Sequence, residues 1–210
     1  MTKLRAPMFS FEARGAIAES IVFFPWKGLA VARKYVIPTN PNTTKQQIQR
    51  AFMRLCVAAI HAAQALAANP LNEDDIVANS QLGLTYPTPR TWFNMITKLW
   101  LDCKVAADIP IVYSNGRVMD TDKDDFRPWL YTTPEDGATL AVGKFYLGVT
   151  RTALIHTQAA TVSAGFSVTL APAGGFSGLV AGTKYYWQFR PDAGDPCEGA
   201  ESGIYSAYAT

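Results

Sequence analysis

Leu179-Val-Ala-Gly-Thr-Lys-Tyr-Tyr-Trp-Gln-Phe-Arg190 joins a turn to a strand dense in aromatic residues. Gly182-Thr183 is turn chemistry. The aromatic-dense run after it, Lys184 to Arg190, reads as a strand. A period of two sends Tyr185, Trp187 and Phe189 to one face and Tyr186 to the other, where it is exposed or meets a partner. Further strands are expected over Pro110 to Tyr113, Trp129 to Thr132, Lys144 to Arg151, Phe166 to Leu170 and Gly203 to Ala209, separated by Gly, Pro, Asp and Ser turns. Short strands at this spacing predict a β-sandwich or small barrel.

Upstream of about Pro110 the period changes. Trp92, Met95, Ile96, Leu99, Trp100 and Cys103 share one helical face, which predicts a helix over Thr91 to Ala106. Ile48, Phe52, Leu55, Ala59, Ala62, Ala63 and Leu66 recur at three- and four-residue spacing and predict another. That helix opens at Thr43 or Thr44, with Gln46 or Gln47 completing a capping-box arrangement, and stops before Asn69-Pro70. The two helices are expected to pack on each other. Residues 71 to 89 read as a long loop that could hold a short helix started by Asn72. Residues 9 to 37, with Gly15, Pro25 and Gly28 as punctuation, read as a two-part β element, and the prolines of Pro38-Thr-Asn-Pro41 hold the following spacer extended. The fold class is thus α+β: a β arm and two-helix region over 1–117, then an all-β sandwich over 118–210.

Two resemblances add to this. Leu179, Gly182, Thr183 and Tyr185, followed by Gly203, Tyr205 and Ser206, resemble the closing strands of a fibronectin type III or immunoglobulin-like sandwich. The resemblance implies that the Tyr185 hydroxyl bonds back to the preceding turn. It implies no ligand, because such folds host many functions. Separately, the order Arg14-Gly15, Trp26-Lys-Gly28, Val31 to Tyr35, Pro38-x-Asn40-Pro41-x-Thr43 and Gln46/Gln47 to Arg50 is similar to that of small tailed-bacteriophage proteins thought to belong to the virion. That resemblance implies a structural component of the capsid, neck or tail, assembled in the host cytoplasm beside other virion proteins, with no catalytic motif and no cofactor.

Charge and composition point the same way. Apolar residues make up 49% of the 210 and charged ones 17%, a balance that supports buried cores rather than disorder. The amino terminus lacks the apolar core of a secretory signal, and no apolar stretch reaches the roughly 20 residues a membrane span needs. Residues 1–54 carry nine Lys and Arg against Glu12 and Glu19, a local balance of +7, which leaves −5 for the remainder of a chain of net charge +2. Such asymmetry suits a nucleic-acid-facing arm or a basic arm lying on an acidic neighbour, including another copy of the chain. The basic residues are interspersed with apolar and aromatic ones and form no dense run, which favours the protein neighbour. Phe23, Phe24, Trp26, Arg33, Lys34, Tyr35, Pro38, Pro41 and Arg50 are therefore the candidate interface of a homo-oligomer. The alternative is a module whose sandwich recognises a host-surface glycan or protein.

No residue pattern carries catalysis. His61 and His156, the two histidines, have no nucleophile or orienting acid at a useful spacing. Asp120-Thr-Asp122-Lys-Asp124-Asp125 has the alternate carboxylates of a calcium loop, but Asp125 replaces its glycine and Tyr131 its closing glutamate. Gly174-Gly-Phe-Ser-Gly178 lacks the endings of a phosphate loop and reads as a turn. Cys56, Cys103 and Cys197 are too scattered for a zinc site or a disulfide framework and read as plain thiols. Trp92 and Trp100 lie on one stripe and read as core.

Overall fold

The computed structural model describes residues 2–3, 15–17, 20–36, 42–135, 143–163, 167–171 and 174–210. The chain forms two compact units, Met1–Thr44 and Lys45–Thr210. The change of period had suggested a division at 117/118. By contact the chain separates at Thr44/Lys45, and helix residues share clusters with strand residues beyond it: Ala78 and Cys103 lie in the sandwich cluster and Val112 in a cluster with Ile60 and Trp100.

The first unit is a four-stranded antiparallel sheet built from β1 (Thr2–Lys3), β2 (Gly15–Ile17), β3 (Ile21–Trp26) and β4 (Leu29–Lys34), in the order β1-β4-β3-β2. Lys27 and Gly28 form a two-residue hairpin turn, both with positive φ (49° and 76°), the combination whose twist matches flanking strands. Pro25 lies within β3 opposite Ala30 and does not divide the element. Val31 on β4 is the buried centre of this small sheet.

The second unit opens with α1 (Thr44–Gln64), α2 (Glu73–Gly83) and α3 (Trp92–Ala106). α1 buries Cys56, Ile60 and Ala63. Of the sequence-expected face, Ala63 is buried and Phe52 and Ala59 are half-buried against the same cluster, while Ile48, Leu55 and Ala62 are exposed, so the buried stripe is rotated from that face's centre by roughly 80° at 100° per residue. The apolar arc is wider than the surface available to cover it. α1 stops before Asn69-Pro70, as expected: the Ala65 N–H is shared between the His61 and Ala62 carbonyls at 3.0 and 3.2 Å, and the Leu71 N–H donates to the Ala63 carbonyl at 3.0 Å. The expected loop after it contains the full helix α2, started by Asn72, whose side chain accepts from the Asp75 N–H while Asp75 accepts from the Asn72 N–H. Thr91 caps α3. α1 and α3 share a cluster of Cys56, Ile60, Ala63, Ile96 and Trp100, as expected for two packed helices.

The strands are β5 (Ile111–Asp120), β6 (Arg127–Pro134), β7 (Gly143–Gly148), β8 (His156–Ala159), β9 (Thr161–Ser163), β10 (Ser167–Thr169), β11 (Lys184–Pro191) and β12 (Tyr205–Tyr208). They form two antiparallel sheets, β5-β6-β10-β9 and β12-β11-β7-β8. Strands were expected at all of these except β8 and β9, and Phe166, the expected start of β10, lies outside the described residues. Leu130 and Val168 from one sheet and Phe145, Leu147, Tyr185, Trp187 and Phe189 from the other fill one apolar core. Trp187 stacks on Tyr205 with ring centres 4.4 Å apart. The Tyr185 hydroxyl accepts from the Val180 N–H at 3.0 Å, the backward bond that the sequence pattern implied. Tyr186, on the other face of β11, packs against a cluster of Leu82, Met95 and Ile204, so its partner is the helical layer of the same chain. On β5, Ile111 and Tyr113 join the sandwich core while Val112 joins the α1–α3 cluster.

Asp75 fastens these layers together. Its carboxylate is fully buried and accepts from the Asn115 N–H (2.7 Å), the Gly116 N–H (2.9 Å), the Tyr205 hydroxyl (2.7 Å) and the Asn72 N–H (2.9 Å). Asn115 and Gly116 sit where the β5–β6 register slips between Ser114 and Arg117, and Asn115 is left-handed (φ 51°). This bulge turns two consecutive N–H groups toward one acid. Gly116 is required there, since a Cβ would lie 2.1 Å from the Tyr205 ring. Asp75→Ala orphans these donors, and urea unfolding should show a loss on the order of 3 kcal/mol or more.

Burial, with the Asp75 charge beside Tyr205, lifts the pKa of Tyr113 and Tyr205 well above the usual phenol value of 10.0. A phenol kept neutral in the fold gives its full contribution below the unfolded pKa and loses it above. Thermal unfolding should therefore lose no stability from these phenols until about pH 10 and then lose it progressively. Tyr205→Phe should flatten that alkaline decline.

Candidate assembly surface

Six of the nine arm residues singled out by sequence lie on one hairpin. Cross-strand register places Val22, Phe24 and Trp26 of β3 on the same face as Leu29, Val31 and Arg33 of β4. Phe23 and Lys34 belong to the opposite face. Phe24 is half-buried beneath the Arg33 guanidinium, 5.2 Å from its ring centre, a cation–π contact. At the tip, Trp26 and Leu29 pair across the turn and remain 52% and 46% exposed. Tyr35 closes the base of the hairpin, its N–H donating to the Ser20 carbonyl at 2.8 Å. Pro38 and Pro41 lie outside the described residues. Arg50 is not on the hairpin: it is exposed on α1, in the other unit, and its carbonyl accepts from Arg54 Nε at 3.4 Å.

The body carries exposed apolar side chains as well. Thr44–Arg50, the first turns of α1, are exposed throughout, Ile48 and Leu55 form an uncovered apolar edge, and Met53 is exposed on another side of the helix. Val77 stands exposed on α2. Beside it a cavity of about 310 Å³ opens between α2, β5 and β12, walled by Val77, Gln81, Arg117, Val118, Tyr205 and Ala207. Val77 and this cavity went unread because their segment looked like loop. The signal that locates them is the Asn72/Asp75 capping box, which fixes the phase of α2.

The other sequence candidates resolve into structure. In the acidic loop, Asp120 and Asp122 accept from the N–H groups of Asp122 and Asp124, Arg127 bridges Asp120 and Asp125, and Asp124 pairs with Lys123. No group of three or more metal-ligating side chains occurs among the described residues. The Gly175 N–H donates to Asp125, and Phe176 bridges to Phe126, so the glycine-rich turn fastens the loop to the sandwich. His61 is exposed on α1 and His156 is exposed on the edge strand β8. Trp100 is buried, whereas Trp92 is half-buried edge-on to Phe93.

Cys56, Cys103 and Cys197 are free and buried. Burial pushes the Cys103 thiol up to about 11 and the Cys197 thiol up to about 12, with nearby aspartates adding to both. All three should resist a thiol-specific aromatic disulfide reagent in the native protein at pH 8 and react once it is unfolded. Prompt native reaction at any of them would contradict the packing described.

Among the described residues no helix is long and apolar enough to cross a membrane. No family model, no curated protein and no solved structure matches this chain.

Proposed function

We propose that this chain is a non-catalytic structural component of a bacteriophage particle, placed in the capsid, neck or tail, that assembles in multiple copies through its amino-terminal arm. The observation that carries this reading is the hairpin of the first unit. It exposes Trp26 and Leu29 as an adjacent apolar pair at the tip of a separate small sheet, with Lys27 in the turn between them and Arg33 further along the same face. An exposed apolar pair of this kind on so small a sheet is best completed by a neighbouring subunit. The first unit's balance of +4, against −2 in the remainder, favours a second copy or another acidic virion protein as that neighbour. Nucleic acid is the less favoured partner.

The sandwich reading is immunoglobulin-like. Its support is the strand order, β5-β6-β10-β9 against β12-β11-β7-β8, which corresponds to the A-B-E-D and G-F-C-C′ arrangement of that family. The Val180 to Tyr185 bond at the entry to β11 corresponds to its tyrosine corner. In this role the sandwich is a spacer held rigid by the helices.

Light scattering of the full chain over a concentration series tests the assembly reading. The wild type should form a defined oligomer, and Trp26→Ser with Leu29→Ser should shift it to monomer at the same concentration with unchanged circular dichroism. A wild type that stays monomeric, or a variant that assembles equally well, removes the arm as the assembly device.

A further inference from the structure

The assembly reading leaves open what the body of one copy offers to the next. Two helical stripes on the same chain answer each other, each exposed except at its third position, where Phe52 and Gln81 are half-buried and Phe52 packs on the α1–α3 cluster. On α1, Lys45, Ile48, Phe52 and Leu55 follow one another at separations of three, four and three residues. On α2 and its cap, Asp74, Val77, Gln81 and Leu84 repeat the same separations. Leu84, the C-cap, keeps right-handed helical angles and so continues the stripe. Ile48, Leu55, Val77 and Leu84 are all 44–56% exposed, so the two stripes do not cover each other within one chain.

Charge selects the pairing. α1 has no acidic residue in its first turn, where an anion is favourable, and carries Lys45 there instead. α2 has Glu73, Asp74 and Asp75 in its first turn, and of these Glu73 and Asp74 are exposed. Neither Lys45 nor Asp74 makes an ion pair among the described residues. Placed side by side in parallel, the two stripes set Lys45 against Asp74, Ile48 against Val77, Phe52 against Gln81 and Leu55 against Leu84. The cavity beside Val77 and Gln81 gives the incoming helix a recess. A symmetric α1–α1 contact would instead bring the basic side chains of two copies together.

We infer that the exposed stripe of α1 in one copy docks in parallel on the α2 stripe of a second copy, with Lys45 of the first against Asp74 of the second. Such a contact joins two different surfaces, so it propagates from copy to copy and closes into a ring or extends as a filament. The inference rests on the assembly reading and adds to the hairpin's contact a second one between the bodies of two copies.

Charge reversal in the full chain tests it by light scattering at low salt. Lys45→Glu and Asp74→Lys should each raise the concentration needed for assembly by about fivefold, the scale of an exposed ion pair turned repulsive. The double variant should return it close to wild type. Lys45→Glu improves the first turn of α1, so its effect cannot come from a lost helix. Oxidative cross-linking gives a second readout: Ile48→Cys chains mixed with Val77→Cys chains should form a disulfide-linked pair that neither forms alone. If the wild type assembles but ignores both charge reversals, or the double variant fails to recover, the α1–α2 contact is wrong while the assembly reading stands. If Ile48→Cys chains link to one another instead, the contact is symmetric and the inference is overturned. A wild type that is monomeric at every concentration overturns both.

Discussion

The buried carboxylate of Asp75 is the constraint on which the body of this protein depends. Moving an anion out of water costs several kcal/mol unless its lone pairs are taken up. Here four donors take them up, and they come from the α2 cap, from the bulge of β5 and from the β12 hydroxyl of Tyr205. Because β5 and β12 belong to different sheets, one side chain fixes a helix to both halves of the sandwich at once. The Asn115–Gly116 bulge and the missing side chain at Gly116 are consequences: without them the two N–H groups could not converge, and the Tyr205 ring could not approach.

That clamp makes the helices a layer of the sandwich rather than a separate domain. Leu82 of α2 and Met95 of α3 cover the outer side of Tyr186, and α1 and α3 cover Val112 on the outer side of β5. An antiparallel sheet can leave one face in water, so the alternation of β11 alone does not reveal whether that face is covered. The buried amide of Gln188, which donates to the Ser202 carbonyl at 2.8 Å, belongs to this region where both sides of β11 are covered.

Three of the surfaces left apolar are the tip of the first unit's hairpin, the leading turns of α1 and the outer stripe of α2. Each is short and bordered by charge, basic on the first two and acidic on the last. Apolar contact supplies the driving force between such surfaces, and the charges set which surface meets which.

The sequence by itself determined the elements whose evidence is local. The periodicity of Trp92 to Cys103, the helix start at Asn72 and the alternation of Tyr185 to Phe189 all concern residues a few positions apart. It also gathered six of the arm's aromatic and basic candidates onto one hairpin, because a strand pair joined by a two-residue turn brings neighbours in sequence together in space. Only the tertiary structure decided which part of α1's wide apolar arc is buried, that the core runs across 117/118, and that Asp75, outwardly one of three solvated acids opening a helix, is the buried one. Those outcomes depend on what lies opposite each residue. Asp75 meets Asn115, Gly116 and Tyr205 across separations of 40, 41 and 130 positions, beyond the reach of any local pattern.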